Sequence, residues 1–439
     1  MKALAVYVHT VGCAKNLVDS EILLGQMGDA VRLVEEGAAA DLIIVNTCGF
    51  IDAAKSESID AVMEAVRLKE ERPGRRVAVM GCLSERYRDE IRAEIPELDG
   101  VYGVGEFGAL LREAGLRPVQ PGAGGDDLAL FTRRVLLSPA HSAYLRISDG
   151  CDQRCTYCSI PLMRGRMRSR PLDEVRREAE HLARRGVQEL NVIGQEISSY
   201  GRDLGGPDIV QLLRAIDDCG VPWIRLFYSH PPLVDETFAD AMAGCRQVLP
   251  YLDFPVEHVS GHVLRRMARR GDAETIAAQI AMLRSRVPGL VLRSSLITGF
   301  PGEREEDFAE LLAFLREHPF ERLGVFLWSP EEGTPAVRHG DQVPREVAEA
   351  RRDLIMEEQM ARSLAANQVL VGSHDRVLVD EVDTVAGTSL ARGYRDALDI
   401  DNSVEVAGRH QPGTFLAVEY TDALEYDLFA RPLPETACA

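Results

Sequence analysis

Residues 151–158 read CDQRCTYC and place three thiols on one short segment, directly after an apolar strand pattern. Three thiolates, those of Cys151, Cys155 and Cys158, can bind three irons of a 4Fe-4S cluster and leave the fourth iron open. A zinc site would need a fourth protein ligand nearby. The next cysteine, Cys219, lies a predicted strand and two predicted helices further along the chain. The spacing therefore favours an iron-sulfur cluster over zinc.

Strand and helix patterns alternate on both sides of this segment. Six apolar strand candidates predict an α/β arrangement, a parallel sheet with outer helices that is either open or rolled into a partial TIM-like (β/α)6 barrel. Polar and glycine-rich motifs follow these strands, and strand carboxyl ends form the ligand site of such sheets, so we expect one shared cavity there. The strand candidates are Ala143 to Ile147, Glu189 to Ile193, Trp223 to Phe227, Tyr251 to Val256, Val291 to Thr298 and Arg322 to Trp328.

The N-terminal segment repeats a strand-then-cysteine unit. Cys13, Cys48 and Cys82 each follow an apolar run and lie 35 and 34 residues apart, which is the length of one βαβ unit. The pattern predicts an open parallel sheet with all three cysteines at one rim. Each cysteine alone is better explained as a buried core thiol, but three in the same relative position favour metal binding.

Two breaks in the pattern divide the chain. A stretch rich in proline and glycine, 117–127, predicts a linker. A helical connector leads to a C-terminal tail of short strand candidates separated by turn residues, which predicts a small antiparallel β-barrel. The predicted domains are 1–116 (N-terminal sheet), 117–136 (linker), 137–368 (central α/β core) and 369–436 (β-barrel).

Composition and charge narrow the classes of partner. The sequence has neither a signal peptide nor an apolar run long enough to span a bilayer, so we expect a cytoplasmic chain without a membrane partner, whose nine cysteines stay reduced. A net charge of −19 argues against a partner held by its phosphates and favours a basic protein. The tail carries twelve acidic residues against five arginines, and we expect Asp380, Glu381 and Asp383 to help attract that partner.

The cysteine segment and its surroundings resemble a known family. A triad at the mouth of a six-unit core resembles the radical-SAM enzymes, whose open iron chelates S-adenosylmethionine (SAM) and donates the electron that cleaves it. Residues 160–171, IPLMRGRMRSRP, together with the N-terminal cysteine series, resemble the methylthiotransferases over nearly the whole chain. The resemblance implies a radical-SAM 4Fe-4S cluster on Cys151, Cys155 and Cys158, a second 4Fe-4S cluster on Cys13, Cys48 and Cys82, and a C-terminal TRAM domain.

The same resemblance implies a reaction and a set of SAM contacts. Two SAM molecules are used per turnover: one methylates a sulfur on the auxiliary cluster, and one gives the radical that removes hydrogen from the substrate carbon. It implies a flavodoxin- or ferredoxin-like reductant and no catalytic residue beyond the cluster ligands. The basic run Arg164 to Arg170 is placed for contact with SAM or substrate. The expected SAM contacts are Tyr157, Glu196, Arg293, Gly299 and Gly302.

Two branches of the family compete. Residues 13–21, CAKNLVDSE, with 323–326, 329–336 and 421–428, resemble the RimO type, which modifies an aspartate β-carbon of small-subunit ribosomal protein twelve. The MiaB type, which modifies tRNA adenosine, is the near relative, and the acidic tail argues against tRNA. Enzymes acting on a small peptide natural product would share every motif, and a binding protein with an inert cluster is the non-enzymatic alternative. Three mouth positions depart from the family pattern, namely Glu257, His230 and Trp328.

Overall fold

The computed structural model of the chain describes residues 3–117 and 128–434. Most of the predicted linker segment, 118–127, therefore lies outside the described residues. The described chain opens with a five-stranded, all-parallel sheet in the order β2-β1-β3-β4-β5. Its elements are β1 Leu4–Thr10, α1 Ala14–Met27, β2 Val31–Leu33, β3 Leu42–Thr47, α2 Asp52–Glu71, β4 Arg76–Gly81, α3 Cys82–Arg86, α4 Arg88–Glu94, β5 Gly100–Val101 and α5 Phe107–Glu113.

The central part contains a six-stranded, all-parallel sheet in the order β13-β12-β11-β10-β9-β6. It confirms the predicted six-unit α/β core and stays open, with β6 and β13 at its edges. The elements up to the third core strand are α6 Leu128–Thr132, β6 Ser142–Arg146, β7 Ser148–Asp149, α7 Ile160–Met163, β8 Arg168–Ser169, α8 Leu172–Arg184, β9 Glu189–Ile193, α9 Ile209–Ile216 and β10 Trp223–Leu226. Those that follow are α10 Glu236–Gly244, β11 Val248–Asp253, α11 Gly261–Arg266, α12 Ala273–Arg286, β12 Val291–Thr298, α13 Glu305–Glu317 and β13 Arg322–Leu327.

The two faces of the central sheet are covered by different partners. One face packs against its own helices through a large apolar core that includes Leu145 and Val192. On the other face, Trp223 and Tyr251 join a second apolar cluster with Val18 of α1 and Phe415 of the C-terminal tail. The N-terminal and C-terminal parts of the chain therefore both cover the inner face of the central sheet.

The C-terminal tail forms a closed barrel in the order β14-β15-β16-β18-β17. Its elements, with the preceding connector, are α14 Arg345–Leu370, β14 His374–Asp383, β15 Thr388–Arg392, β16 Ser403–Ala407, β17 Phe415–Ala423 and β18 Asp427–Pro432. The predicted barrel is confirmed, except that β16 and β18 pair in parallel while the other four ladders are antiparallel.

The tail barrel lies at the amino ends of the core strands. Arg322, the first residue of β13, pairs with Asp396 of the barrel, and the ring of Trp223, the first residue of β10, lies 4.9 Å from that of Phe415. The cysteine segment 151–158 follows strands at their carboxyl ends, so the barrel and this segment occupy opposite ends of the core. In the described part of the chain, no helix is long and apolar enough to cross a membrane.

Candidate active site between two cysteine triads

The loop that carries Cys151, Cys155 and Cys158 is closed by tight backbone contacts. The N–H of Cys151 donates to the carbonyl of Gly165 at 3.2 Å, and the N–H of Cys158 donates to the carbonyl of Cys155. Gly150 has φ of 75°, and a Cβ there would lie 2.1 Å from a backbone oxygen of the returning strand, so only glycine fits. The loop therefore presents three partly exposed thiols from one short segment.

Tyr157 forms part of an aromatic wall beside these thiols. Its ring meets Phe300 edge-on with centroids 6.3 Å apart, and Phe300 meets Trp328 in the same way at 6.2 Å. The buried Arg269 donates to the Tyr157 hydroxyl at 3.4 Å and lies 3.9 Å from the sulfur of Cys155. Burial raises the pKa of Tyr157 well above its usual value, so its hydroxyl stays neutral.

The three positions that depart from the family pattern lie at this mouth. Glu257 takes a left-handed backbone with φ of 65°, and its carboxyl group lies beside Tyr157 and Arg269. Burial raises the pKa of Glu257, and the Arg269 charge opposes that shift. His230 is buried, which lowers its pKa to about 3 and keeps the imidazole neutral. Two of the three departures, Glu257 and Trp328, therefore lie next to Tyr157 and Phe300 of the aromatic wall.

The expected SAM contacts fall into two groups. Glu196 follows β9 and lies near the triad: burial raises the pKa of Cys151 to about 11, and the nearby charge of Glu196 adds to that shift. Its carboxylate accepts the N–H groups of Ser198 and Ser199, which fixes the loop at the mouth. Arg293, in contrast, sits early in β12 and pairs with Asp253 at 3.1 Å and with Asp401 of the tail barrel at 3.5 Å. The structure thus brings Glu196 to the triad and engages Arg293 with the tail barrel.

Gly299 and Gly302 shape the loop that holds Phe300 in the aromatic wall. Both have positive φ, and added Cβ atoms would lie 2.4 Å from the Ala348 side chain and 2.5 Å from the Arg266 side chain. The carboxylate of Glu303 accepts the N–H groups of Gly299 and Phe300. The two glycines thus serve close packing around this loop.

Cys13, Cys48 and Cys82 converge at the carboxyl rim of the N-terminal sheet. Cys13 precedes α1, Cys48 follows β3, and Cys82 begins α3. A Cβ on Gly12, which has φ of 96°, would lie 2.8 Å from the Cys48 sulfur. Burial raises the pKa of Cys82 to about 12 and also raises that of Cys48, and the nearby Cys13 adds to both shifts. The three predicted thiols therefore share one site.

Arg164 joins the two triads, and its role was missed in the sequence. It lies on the loop after Cys158, is buried, and donates from Nε to the Cys82 sulfur at 3.4 Å. Its other nitrogens donate to Asn16 and Asp19 of α1 at 2.8 and 2.7 Å, and to Asp149 just before the other triad. The basic run had suggested contact with SAM or substrate, whereas Arg164 links the N-terminal and central parts of the chain.

A second set of ion pairs joins the N-terminal and central parts of the chain. Glu331, which follows β13, is buried and accepts from Lys55 at 3.0 Å and from Arg86 at 2.9 Å. Glu331 belongs to the stretch 329–336 that resembles the RimO type, and in the structure it binds the N-terminal part to the core.

Part of the negative charge of the C-terminal tail is paired within the protein. Asp380 is buried and pairs with Arg392 and with His141, each at 2.8 Å. These partners offset the charge of Asp380 within the protein, and its part in attracting a basic partner stays a prediction. Asp383 accepts the N–H groups of its own turn, and both Asp383 and Glu381 are exposed.

The side chains of the two cysteine triads are of the chemical type that binds iron-sulfur clusters. Thiolates are the usual ligands of such clusters, and hydrogen bonds to sulfur, such as those from Arg164 and Arg269, tune them. Within the described residues, no three His, Cys, Asp or Glu side chains come close enough together to share one metal ion. In a 4Fe-4S cluster each cysteine binds a different iron, so the three cysteines need not lie close enough together to bind one shared ion.

Known proteins resemble this chain over almost its whole length. Sequence profiles of the Radical SAM superfamily, the Uncharacterized protein family UPF0004 and the TRAM domain match residues 145–315, 5–103 and 371–433. The "Ribosomal protein uS12 methylthiotransferase RimO" of Chloroherpeton thalassium is 41% identical over 97% of each chain. Its namesake from Anaeromyxobacter sp. is 42% identical over 98% of this chain and 93% of its own. This chain belongs to the RimO family. It is accordingly a radical-SAM methylthiotransferase, and superfamily membership implies a 4Fe-4S cluster and SAM.

Solved structures share the fold at lower similarity. The radical SAM methyltransferase TsrM from Kitasatospora setae, with cobalamin and a 4Fe-4S cluster bound, gives a TM-score of 0.54 at 17% identity, over 76% of this chain and 77% of its own. A second TsrM structure, with tryptophan and a SAM analogue, gives a TM-score of 0.55. At this identity the likeness shows the fold of a RimO-family chain and nothing about its substrate.

Proposed function

We propose that this RimO-family enzyme adds a methylthio group to the β-carbon of an aspartate in ribosomal protein uS12. The observation that carries the proposal is 41–42% identity, over nearly the full chain, to relatives named as uS12 methylthiotransferases. The motif at 13–21 supports the same branch. The cytoplasm is the proposed location, because it keeps cysteines reduced and available for metal binding.

The proposed cofactors are two 4Fe-4S clusters and two SAM molecules per turnover, with a flavodoxin- or ferredoxin-like reductant. Cys151, Cys155 and Cys158 would hold the radical-SAM cluster, which when bound supplies the electron that cleaves SAM. The N-terminal cysteine triad would hold the auxiliary cluster. The proposed division of the chain is 1–116, 117–136, 137–368 and 369–436, with SAM in the central cavity.

The residues around the triads would position and shield this chemistry. The wall of Tyr157, Phe300 and Trp328 excludes water from one side of the cavity and offers aromatic surface to the adenine. Glu196 holds the loop after β9 in place, and Arg269 balances negative charge next to Cys155. Gly299 and Gly302 would contribute to SAM binding through the loop that they shape, and Arg293 would act at most indirectly.

The substrate assignment can be tested by mass spectrometry. We expect reconstituted enzyme with SAM and reductant to add a methylthio group to purified uS12 and to leave bulk tRNA unmodified. A methylthio group on tRNA adenosine with unmodified uS12 would instead favour the MiaB-type activity. Modification of neither macromolecule, together with cleavage of SAM, would direct the search to peptide natural products.

The N-terminal site can be tested at Gly12. In Gly12→Ala a Cβ would come 2.6 Å from the Cβ of Cys48, so the cysteine must move. We expect the reconstituted variant to lose about four of about eight irons per chain, as one 4Fe-4S cluster holds four. Gly74→Ala is the matched control, because Gly74 has φ of 87° but open space around it. Full iron content in Gly12→Ala would show that the cysteines tolerate a side chain at this position, whereas about four irons in the unmutated chain would contradict the proposed auxiliary cluster.

A further inference from the structure

A largely buried lysine near the N-terminal cysteines contacts an aromatic ring of the central part of the chain. Lys15 lies two residues after Cys13, at the start of α1, and only 7% of its surface is exposed. Its ammonium lies 3.2 Å from the centroid of the Tyr228 ring. Tyr228 follows β10 at the mouth, and its carbonyl accepts the N–H of Ile197, next to Glu196. The ammonium is thus positioned where the N-terminal and central parts of the chain meet.

This ammonium has no anionic partner in the protein. Across residues 3–117 and 128–434, no carboxylate oxygen lies within 4.0 Å of the Lys15 nitrogen. The aspartates on the surrounding elements are already paired: Asp19 with Arg146 and Arg164, and Asp253 with Arg293. The Lys15 nitrogen still reaches solvent, because it is not among the described side-chain nitrogens that are fully buried without a hydrogen-bond partner. A bound carboxylate can therefore reach the ammonium and pair with it.

The use of lysine at this position is unusual for the chain. Of its 50 basic residues, only Lys2, Lys15, Lys55 and Lys69 are lysines, and the rest are arginines. Lys55 and Lys69 both pair with carboxylates. Lys2 lies outside the described residues. A lysine presents a compact point charge, whereas the arginine guanidinium is broad and planar, so Lys15 suits a narrow pocket against an aromatic ring.

We propose that Lys15 binds the side-chain carboxylate of the substrate aspartate and makes the enzyme select an acid over an amide. This inference rests on the proposed function, which supplies the aspartate. The β-carbon is bonded directly to the carboxylate carbon, so a carboxylate held by Lys15 places the reacting carbon where the N-terminal and central parts of the chain meet. The aromatic face of Tyr228 and the buried setting strengthen a charge-assisted hydrogen bond to that carboxylate.

The test is a binding measurement on reconstituted enzyme without reductant, so that no turnover occurs. Purified uS12 is compared with uS12 in which the target aspartate is asparagine. We expect wild type to bind the aspartate form about tenfold more tightly, the ratio typical of a hydrogen bond to a charged group. Lys15→Met should bind both forms alike, and Lys15→Arg should recover part of the preference because it keeps the charge. Lys69→Met, the same change at a distant lysine, should match wild type.

Three results would overturn the inference. The first is a preference for aspartate that survives in Lys15→Met. The second is a loss of SAM affinity in Lys15→Met with that preference intact, which would assign the lysine to the carboxylate of SAM. The third is a wild type that binds both forms of uS12 equally, and this result needs no variant to fold. A wild type that binds uS12 but never modifies it would instead refute the proposed function.

Discussion

Replacing Cys151, Cys155 and Cys158 together by alanine is expected to abolish both SAM cleavage and methylthiolation of uS12. Replacing Cys13, Cys48 and Cys82 is expected to abolish methylthiolation but to leave SAM cleavage intact, because only the core cluster supplies the electron. Each triple variant should keep about four of about eight irons per chain. The measurements are iron content, 5′-deoxyadenosine formed under reducing conditions, and the mass of uS12.

The two triple variants act as controls for each other, because each removes three thiols and leaves the other triad unchanged. Loss of SAM cleavage in the N-terminal variant, with the core cluster still assembled, would contradict this division of labour. An unmutated chain that holds only about four irons would contradict the presence of two clusters. Both results are distinguishable from unfolding, because the remaining cluster reports on a folded site.

Much of the fold follows from sequence patterns, because parallel strands buried on both faces read as apolar runs. The predicted β9 and β12 match the observed strands, and the apolar run Leu42 to Val45 predicts β3, which extends two residues further to Thr47. Strand β11, however, ends at Asp253 rather than Val256. Pro255 lacks the N–H that a central strand needs, so the apolar residues near it pack without extending the ladder. Strand β15 escaped prediction because TSLAR offers no clear apolar alternation.

The missed parts of the site are polar residues in buried positions. Helical periodicity in the sequence predicts the first helix over Asp19 to Met27, whereas α1 begins at Ala14, because Lys15 and Asn16 give no apolar periodicity although both are buried. Spacing predicted that each cysteine triad would converge, since strand ends meet at one rim. No local pattern could show that Arg164 reaches Cys82, because the contact joins residues 82 positions apart.

Arg164 gives the second large expected effect. Its side chain is 1% exposed and holds Asp19, Asn16 and the Cys82 sulfur at once. In Arg164→Met, Asp19 and Asp149 lose a cationic partner, but Asp19 keeps Arg146, so we expect a cost below the value of about 3–5 kcal/mol for a buried charge left without any partner. We expect a markedly lower unfolding midpoint in thermal or denaturant melts, and a shifted reduction potential of the N-terminal cluster, because a donor to its cysteine is lost.

Arg166→Met is the matched control for this variant, since it makes the same change two residues along the loop. The Arg166 side chain is 89% exposed and pairs only with Asp152 at the surface, and exposed ion pairs contribute little to stability. Arg166→Met should therefore leave both the unfolding midpoint and the potential of the N-terminal cluster unchanged. Equal behaviour of the two variants would show that Arg164 does not join the two triads. A lower unfolding midpoint in Arg164→Met with an unchanged potential would limit Arg164 to holding the N-terminal and central parts together, because a purely structural contact does not tune a cluster.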